Sequence, residues 1–237
     1  MKKTLNFNTD CHSCLARQNS VFKVLKTEEV DLIQASRYCS FFKRGQIVFG
    51  EGMIPHGLYI LTKGKVRLSK LGANGKEQIV RLARPGEVLG YRALISGEPF
   101  SATATVFEDT HLCFLSKEIV LGLISSNLSF SMELMNLFAR DLKSAESKLT
   151  HMAQDSVRER LAQALLMLRD TYGVEVETGQ IMLKLRREDM ANIIGTAPET
   201  AIRFLSEFQK EELVQLKGKY IFLKNVKKLI KVANIWD

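Results

Sequence analysis

The sequence predicts an α+β chain in three successive parts: a small antiparallel β-domain, one long helix, and a C-terminal unit of short helices that ends in a β-hairpin. Three observations predict it. Short apolar runs and glycine-containing turns alternate between residues 41 and 115, no glycine occurs between Gly122 and Gly173, and glycines then separate short segments with helical patterning. With 237 residues, 46% of them hydrophobic and 25% charged, the chain is long enough for one or two folded domains.

The expected β-domain follows a helical stretch. Over 15–37 the apolar residues have helical spacing, and Thr27 is placed to cap a second helix there. Turn-forming residues then recur at roughly 8–12-residue intervals, which is typical of an all-β sandwich or barrel. The turns are 43–45, 63–65, 74–75 and 84–86. The strands predicted around them are 47–49, 58–61, 66–68, 79–82, 102–106 and 112–114.

The glycine-free stretch predicts a long helix over 127–153. Its apolar residues follow one another at steps of three and four, a seam typical of a helix that pairs with a copy of itself. The seam consists of Leu134, Phe138, Leu142, Ala145, Leu149 and Met152. The alternative is that this stripe packs on the chain's own β-domain, although the helix is too long for a small domain to cover.

Two short helices are expected next. One extends from Ser156 to about Tyr172, where Gly173 ends it, and the other covers 188–194 and is closed by Gly195. Glycine directly after a helix is favoured because it adopts the left-handed backbone conformation without strain.

A third helix and a hairpin complete the C-terminal unit. Thr196, with Glu199 three residues later, has the spacing of a capping box and would open a helix to about Glu211. Two short strands, 213–216 and 220–223, follow and flank a Lys-Gly-Lys turn. Helix, glycine turn, helix and hairpin in this order is the winged form of helix-turn-helix.

The third of these helices has one polar and one apolar face. Glu199, Arg203 and Ser206 share the polar face, and the opposite face consists of Ala201, Phe204, Leu205 and Phe208. An arginine can donate two hydrogen bonds to guanine and a glutamate can accept one from cytosine, so Arg203 and Glu199 have the chemistry to read bases, while Ile202 can touch a thymine methyl. The alternative is a solvated Glu–Arg pair worth about 0.3–0.5 kcal/mol. The surrounding helices and hairpin favour DNA reading.

The net charge is basic, with 34 Lys and Arg against 26 Asp and Glu, or +8. Such an excess suits a polyanionic partner, although a solvated basic tail is the simpler interpretation of its last part. Between residues 215 and 237, six lysines face only Asp237. They are Lys217, Lys219, Lys224, Lys227, Lys228 and Lys231.

Two sets of motifs occur in a fixed order along the chain. The β-domain contains Lys43-Arg-Gly-Gln-Ile47, Leu58-Tyr-Ile-Leu-Thr-Lys-Gly64, Asn74-Gly-Lys-Glu77 and Arg84-Pro-Gly-Glu-Val-Leu-Gly90. The C-terminal unit contains Arg187-Glu-Asp-Met-Ala-Asn-Ile-Ile-Gly195, Pro198-Glu-Thr-Ala-Ile-Arg203 and Lys217-Gly-Lys-Tyr220. Together they resemble the CRP/FNR family of bacterial transcription regulators, over nearly the whole chain from about residue 15.

This resemblance implies a cyclic-nucleotide-binding-type β-roll, a dimerisation helix and a winged helix-turn-helix. It implies a homodimer that binds double-stranded DNA, acts with RNA polymerase, and is controlled by an effector or redox signal at the β-roll. The family's E-x-x-x-R pattern falls on Glu199 and Arg203, and suggests that Thr200 and the wing lysines lie near phosphates. The predicted DNA-binding residues are Glu199, Thr200, Ile202, Arg203, Thr196, Ser206, Lys217 and Lys219.

The resemblance also indicates where an effector would bind. Members that bind cyclic AMP hold it with a Gly-Glu pair and a later Arg-Ser pair, and the matching positions here are Gly90-Tyr91 and Phe100-Ser101. Without the arginine, a buried phosphate would lack its charge partner. These four residues are therefore the candidate effector pocket, but we do not expect cyclic AMP in it.

The cysteines suggest a metal instead. Four cysteines without a secretory signal indicate reduced thiols or metal ligands rather than a disulfide framework. Cys11 and Cys14 form a C-x-x-C motif, and Cys113 falls where the FNR branch keeps its remote cluster ligand, so these three are candidates for an iron–sulfur cluster or zinc. That branch has one more N-terminal cysteine, at a position where this chain has Ser20. Cys39, Asp10 or His12 are possible substitutes; otherwise Cys113 is a small buried hydrophobe and Cys39 is structural.

The predicted domains are a sensor domain over 1–126, a dimerisation helix over 127–153 and a DNA-binding domain over 154–237. No apolar run is long enough for a signal peptide or a membrane span, so we expect a cytoplasmic protein without membrane contact. The four histidines have no sequence-local acid or nucleophile partner, so no catalytic site is expected. The competing hypothesis is a metal or small-molecule sensor that acts through protein partners.

Overall fold

The computed structural model describes residues 10–234, which divide into two compact units. The first joins Val80–Leu142 to the described residues up to Lys70, and the second joins Leu71–Ile79 to those from Lys143 onward. Among the helices of this part of the chain, none is both long and apolar enough to cross a membrane.

Three short helical elements precede the first strand. They are α1 (Leu15–Gln18), a 3-10 turn (Val21–Val24) and α2 (Thr27–Ser36). The N-cap of α2 is Lys26, whose backbone N–H donates to the carboxylate of Glu29 at 2.8 Å. Thr27 is therefore the first helical residue, and the prediction that it caps this helix is wrong. The Glu29 carboxylate thus accepts from the backbone N–H of Lys26, which would otherwise be left to solvent.

The β-roll consists of two four-stranded sheets, ordered β1-β8-β3-β6 and β2-β7-β4-β5. Their strands are β1 (Tyr38–Phe42), β2 (Ile47–Phe49), β3 (Gly57–Lys63), β4 (Val66–Leu71), β5 (Glu77–Ala83), β6 (Val88–Leu89), β7 (Thr103–Val106) and β8 (Thr110–Ser116). Two helices complete the unit, α3 (Tyr91–Ser96) and α4 (Lys117–Ser126). All six predicted strands are present. The sequence missed two strands, β1 and the two-residue β6, and two helices, α4 and the six-residue α3 that lies between two glycines.

Apolar residues of the first unit form two buried clusters. One draws on both sheets, with Leu61 of β3 and Ala104 of β7. In the other, Ile60 and Leu115 from the opposite face of β3 and β8 pack with Phe22 of the N-terminal segment. The first sheet is therefore buried on both faces, because the N-terminal helices cover the side that the second sheet leaves open.

Cys39 and Cys113 form a disulfide within the first sheet. They are directly opposite in the paired strands β1 and β8, with Cα atoms 4.1 Å apart. Cys11 and Cys14 are free thiols, the first buried and the second half-buried. The prediction that the cysteines are reduced thiols or metal ligands is therefore wrong for the Cys39–Cys113 pair. Strand register, which the sequence does not reveal, places these two side chains together.

Helix α5 (Leu128–Gln154) is the predicted long helix. Part of its expected seam packs inside the first unit, because Leu134 is only 3% exposed and Phe138 lies against the same buried cluster. An exposed column instead runs along the helix at seven-residue intervals. Its members are Leu128, Met135, Leu142 and Leu149, exposed by 77%, 53%, 62% and 72%. The alternative interpretation, in which the stripe packs on the chain's own β-domain, thus holds for its first residues.

The C-terminal unit contains the predicted helices and hairpin, and one helix more. Its elements are α6 (Val157–Tyr172), α7 (Arg187–Ile194), α8 (Pro198–Lys210), β9 (Val214–Lys217), β10 (Tyr220–Leu223) and α9 (Val226–Ala233). Helix α9 buries Leu229 and Ala233 and packs on α6, so the lysine-rich end is structured over these residues. The interpretation of that stretch as a solvated tail missed the apolar residues that anchor it.

Candidate nucleic-acid interface

Helix α8 presents the polar face that its sequence predicts. Ala201, Leu205 and Phe208 are fully buried, whereas Glu199, Ile202, Arg203 and Ser206 are exposed. The exposed and buried sets alternate with helical period, so one side of α8 is fixed in the core and the other is free to enter a groove. The side chain of Arg203 is 63% exposed.

Arg203 pairs with Glu207 and not with Glu199, which was its partner in the alternative interpretation of this face. Its Nη1 lies 3.5 Å from Oε1 of Glu207, one turn further on, and its guanidinium carbon is 4.4 Å from the ring centroid of Phe204. These contacts fold the side chain along the helix. Such exposed pairs contribute about 0.3–0.5 kcal/mol, so a base edge competes readily for the guanidinium.

The N-terminus of α8 differs from the predicted capping box. Ala197 is the N-cap and Pro198 the first helical residue, so Thr196 lies one position before the cap. The N–H of Thr196 donates to the carbonyl of Ala191 at 3.1 Å, which closes α7 beside Gly195 in its left-handed conformation. The capping box at Thr196 is wrong because proline fixes the first helical residue. Thr196 and Thr200 are each half-buried.

Two arginines of α6 hold α7 and α8 in place. Arg158 donates to the carboxylate of Glu211 at 2.6 and 2.8 Å and lies 4.9 Å from the ring centroid of Phe208. Arg160 donates from Nε to the carbonyl of Ile194 at 3.0 Å. The turn of the helix-turn-helix and the end of α8 are therefore attached to α6 by charge-assisted hydrogen bonds.

The hairpin carries Lys217 and Lys219 at its tip, both exposed. Sequence analysis overlooked Arg187, whose Nη2 donates to the carbonyl of Gly218 at 3.1 Å. Its Nη1 is buried and has no hydrogen-bond partner among residues 10–234, and burial lowers the pKa of this guanidinium. The lysine-bearing turn is thus tied to the first residue of α7. Only the contact between Arg187 and Gly218, which are far apart in the sequence, reveals this attachment.

The four candidate effector-pocket residues differ in their accessibility. Tyr91 and Phe100 are 1% and 7% exposed, and Phe100 stacks on Phe49 with ring centroids 4.0 Å apart. Gly90 is in the left-handed conformation, and a Cβ there would lie 2.9 Å from the ring of Phe100. Ser101 is exposed. The ring of Phe100 thus occupies the space next to Gly90.

Tyr91 belongs to a charged cluster that the sequence did not suggest. Its hydroxyl donates to Asp141 of α5, whose carboxylate also lies 2.6 Å from Arg92 and 3.6 Å from Arg81. Arg81 pairs in turn with Glu87 at 2.8 Å. Burial would raise the pKa of Asp141, but hydrogen bonds from Arg92 and Tyr91 and the charge of Arg81 lower it below its ordinary value. The cluster joins α3 to α5.

The candidate metal ligands do not fit a metal site. The disulfide with Cys39 occupies Cys113, and within residues 10–234 there is no group of three His, Cys, Asp or Glu that could hold a metal ion. The proposed substitutes are engaged elsewhere: Asp10 accepts from the N–H of His12 at 3.1 Å, and His12 contacts Asp31 at 2.7 Å. Ser20 caps the 3-10 turn by accepting from the N–H of Phe22.

Two family models match the chain. Residues 40–127 match a cyclic nucleotide-binding domain, and residues 159–232 match a Crp-like helix-turn-helix domain. The first range begins within β1 and ends just after α4, and the second contains α7, α8 and the hairpin.

Whole-chain comparisons agree with both matches. The chain is 32% identical over 197 residues to the cyclic AMP receptor protein of Thermus thermophilus, covering 83% of this chain and 88% of that protein. It is 26% identical over 227 residues to the fumarate and nitrate reduction regulatory protein of Vibrio cholerae, covering 95% and 90%. The structure of FixK2 from Bradyrhizobium japonicum superimposes with a TM-score of 0.76 at 23% identity, covering 85% and 99% of the two chains.

Proposed function

We propose that this chain, which belongs to the CRP/FNR family of DNA-binding transcription regulators, acts as a homodimer that reads a palindromic operator through α8. The observation that carries the proposal is the face of α8, where Glu199 and Arg203 are exposed above a buried apolar side. The family consists of transcription regulators, not enzymes.

Base reading would be shared by three side chains of α8. Arg203 can donate two hydrogen bonds to guanine O6 and N7, Glu199 can accept from cytosine N4, and Ile202 can contact a thymine methyl. Ser206 extends the same exposed face by a turn. Rotation of the Arg203 side chain away from Glu207 would release it for this contact, at the small cost of an exposed ion pair.

Phosphate contacts would fix α8 in the groove. Lys217 and Lys219 are exposed at the hairpin tip and can bind the backbone beside the groove that α8 enters. Thr196 and Thr200 lie at the start of α8, where hydroxyl and backbone N–H groups can donate to a phosphate. These contacts would contribute affinity without sequence preference.

Dimerisation would bring two copies of α8 together. The exposed column of α5 recurs every seven residues, the spacing of a helix that pairs with a parallel copy of itself. The predicted seam members Leu142 and Leu149 belong to this column, while Ala145 and Met152 flank it. Two-fold symmetry then requires an inverted repeat in the DNA, with half-site centres about 10–10.5 base pairs apart.

Control would reside in the β-roll, within the sensor domain over 1–126. An effector or redox event there would shift the dimerisation helix over 127–153 and so change the spacing of the two DNA-binding domains over 154–237, which is a shift between populations with poor and good DNA geometry. Contact with RNA polymerase completes the proposed role of a regulator.

Selection of bound sequences from random double-stranded DNA by the full chain tests this proposal. The expected result is an inverted repeat whose half-site centres are about one helical turn apart. A single unrepeated site would contradict the homodimer, and enrichment of no sequence would contradict base reading by α8.

A further inference from the structure

All four cysteines are associated with one face of the first sheet. Cys113 of β8 is directly opposite Cys39 of β1 and Ile60 of β3, and residues opposite each other in paired strands point to the same face. Ile60 belongs to the buried cluster that also contains Cys11. The N-terminal segment that carries Cys11 and Cys14 therefore covers the face from which the disulfide projects, and α1 packs on β3.

The N-terminal cysteines are anchored to α2 and to each other by backbone hydrogen bonds. The N–H of Cys11 donates to the side chain of Gln34 at 2.8 Å, and Gln34 lies in α2 five residues before Cys39. The N–H of Cys14 turns back to the carbonyl of Cys11 at 3.4 Å. This turn keeps the C-x-x-C motif compact, with its two thiols separated by two residues.

The cysteines differ in accessibility. Cys11 is 6% exposed. Burial raises the pKa of its thiol, and this effect outweighs the positive charges of Arg37 and Arg17, which lower it. Cys14, Cys39 and Cys113 are each partly exposed. Cys14 is thus the more accessible of the two free thiols, and Cys113 lies on β8, the strand that pairs with β3, on which α1 packs.

We propose that these four cysteines form a dithiol–disulfide exchange site, in which Cys11 and Cys14 reduce the Cys39–Cys113 disulfide. This accounts for the failure of the same residues to fit a metal site. Disulfides in proteins kept in a reducing compartment are typically transient and redox-sensing.

The exchange proceeds in two balanced steps. The Cys14 thiol loses its proton and attacks Sγ of Cys113, so that a Cys14–Cys113 bond forms, the Cys39–Cys113 bond breaks, and Cys39 leaves with the electron pair and takes up a proton. Cys11 then loses its proton and attacks Sγ of Cys14, which releases Cys113 as a thiol. Two electrons and two protons pass from one pair to the other, and no external oxidant or reductant is consumed.

Tryptic peptides separate every state of this site. Cys11 and Cys14 share the peptide 4–17, Cys39 lies alone in 38–43, and Cys113 lies alone in 93–117. A cross-link between 38–43 and 93–117 reports the starting disulfide, a cross-link between 4–17 and 93–117 reports the mixed intermediate, and 4–17 with an internal disulfide reports the product.

The experiment begins with the full chain carrying the Cys39–Cys113 disulfide and two free N-terminal thiols, without added thiol or oxidant. Samples are quenched with acid, alkylated and digested. We expect the internal disulfide of 4–17 to appear as the cross-link between 38–43 and 93–117 disappears, with equal yields and a rate independent of protein concentration. Cys14→Ser should abolish the exchange.

A second variant tests the intermediate directly. With Cys11→Ser and Cys39→Ser together, a mild oxidant should cross-link 4–17 to 93–117 within one chain, whereas Cys14→Ser with Cys39→Ser should form much less of any such link. Circular dichroism spectra matching the wild type confirm that the variants fold. Absence of this cross-link in folded protein, or no exchange in the wild type, overturns the proposal.

Metal analysis supplies the remaining test. The proposed exchange would also be overturned if anaerobically purified protein contained stoichiometric iron or zinc that protected three or four cysteines from alkylation. The consequence for transcription rests on the proposed function, but disulfide connectivity is measured without DNA. A chain that fails to select an operator can therefore still exchange its disulfide, and the two failures are distinguishable.

Discussion

Under the proposed function, Arg203 is the residue on which sequence-specific binding would depend most. Its guanidinium is largely exposed, and its partners among residues 10–234, Glu207 and Phe204, lie in the same helix, so truncation would remove the proposed base contact without disturbing the core. We expect Arg203→Ala to weaken operator binding by about 1–3 kcal/mol per half-site. Fluorescence anisotropy with the selected operator and with random DNA, at one salt concentration, measures the difference.

Two lysines serve as controls for that variant. Lys219→Ala should weaken operator and random DNA alike, because a phosphate contact carries no sequence information. Lys210→Ala, at the far end of α8, removes the same charge and should change neither affinity substantially. Equal losses on both DNAs for Arg203→Ala would show that this side chain contacts only the backbone.

Asp141 connects charge to stability. Asp141→Asn should lower the free energy of unfolding by about 1–3 kcal/mol near pH 7, because Arg81 and Arg92 lose a partly buried anionic partner. Since the folded-state pKa of Asp141 is lowered, its contribution is fully present above the ordinary value of about 3.9 and is lost as the pH falls through the folded-state pKa. Urea unfolding at several pH values measures this.

The matched control for this variant is Asp170→Asn, which alters a carboxylate with 62% side-chain exposure. It should change stability by much less, because solvent screens the exposed pair. If the difference between wild type and Asp141→Asn stayed constant from pH 7 down to about pH 2–3, the charged form of Asp141 would not be what stabilises the cluster.

Among the helices, α8 begins without a capping side chain, because alanine carries no acceptor at the N-cap position. Ala197→Ser would supply an oxygen to the free N–H groups of Glu199 or Thr200. The expected gain is about 0.5–1 kcal/mol in the stability of the C-terminal unit.

Thermal unfolding followed by circular dichroism measures that gain. Ala197→Val adds bulk at the same exposed position but no acceptor, and should give no gain in stability. A serine variant no more stable than the valine variant would place the start of α8 elsewhere. The sequence suggested Thr196 as the cap because the Thr-x-x-Glu spacing was correct, yet the proline two positions later decided the boundary.

Helix α5 illustrates the limit of periodicity. The sequence predicted its length and its apolar stripe, but the stripe merges two faces: Leu134 packs in the β-roll, whereas Leu142 and Leu149 remain exposed. Both faces consist of apolar residues at steps of three and four, so spacing alone does not separate them. The position of Phe130 and Leu134 in the buried cluster assigns the faces.

For the whole molecule, the exposed column of α5 predicts how the chain associates. Leu142→Glu should convert the proposed dimer to a monomer, because two carboxylates would face each other across the two-fold axis in an apolar seam. Light scattering coupled to size-exclusion chromatography should show half the wild-type mass.

The control for association is Leu121→Glu, which makes the same change at another exposed leucine, in α4. It should leave the mass unchanged. A dimer that persists in Leu142→Glu would locate the self-association surface away from this column.

The sequence by itself determined the local features: six strands, the long helix, the helix-turn-helix with its hairpin, and the polar face of α8. These depend on periodicity, glycine punctuation and turn chemistry, which act over a few residues. The short elements β1, β6 and α3 were missed because two to six residues carry too little periodic signal, and the ten-residue α4 was missed as well.

Only the tertiary structure decided which distant residues meet. The Cys39–Cys113 pair spans 74 residues, Tyr91 and Asp141 are 50 apart, and Arg187 and Gly218 are 31 apart. Such contacts follow from strand register and from packing between elements, where a shift of one residue would turn the same side chains to the other face. The exposed polar face of α8 was predictable because it lies within one helix, and the Cys39–Cys113 pairing was not because it depends on two strands meeting.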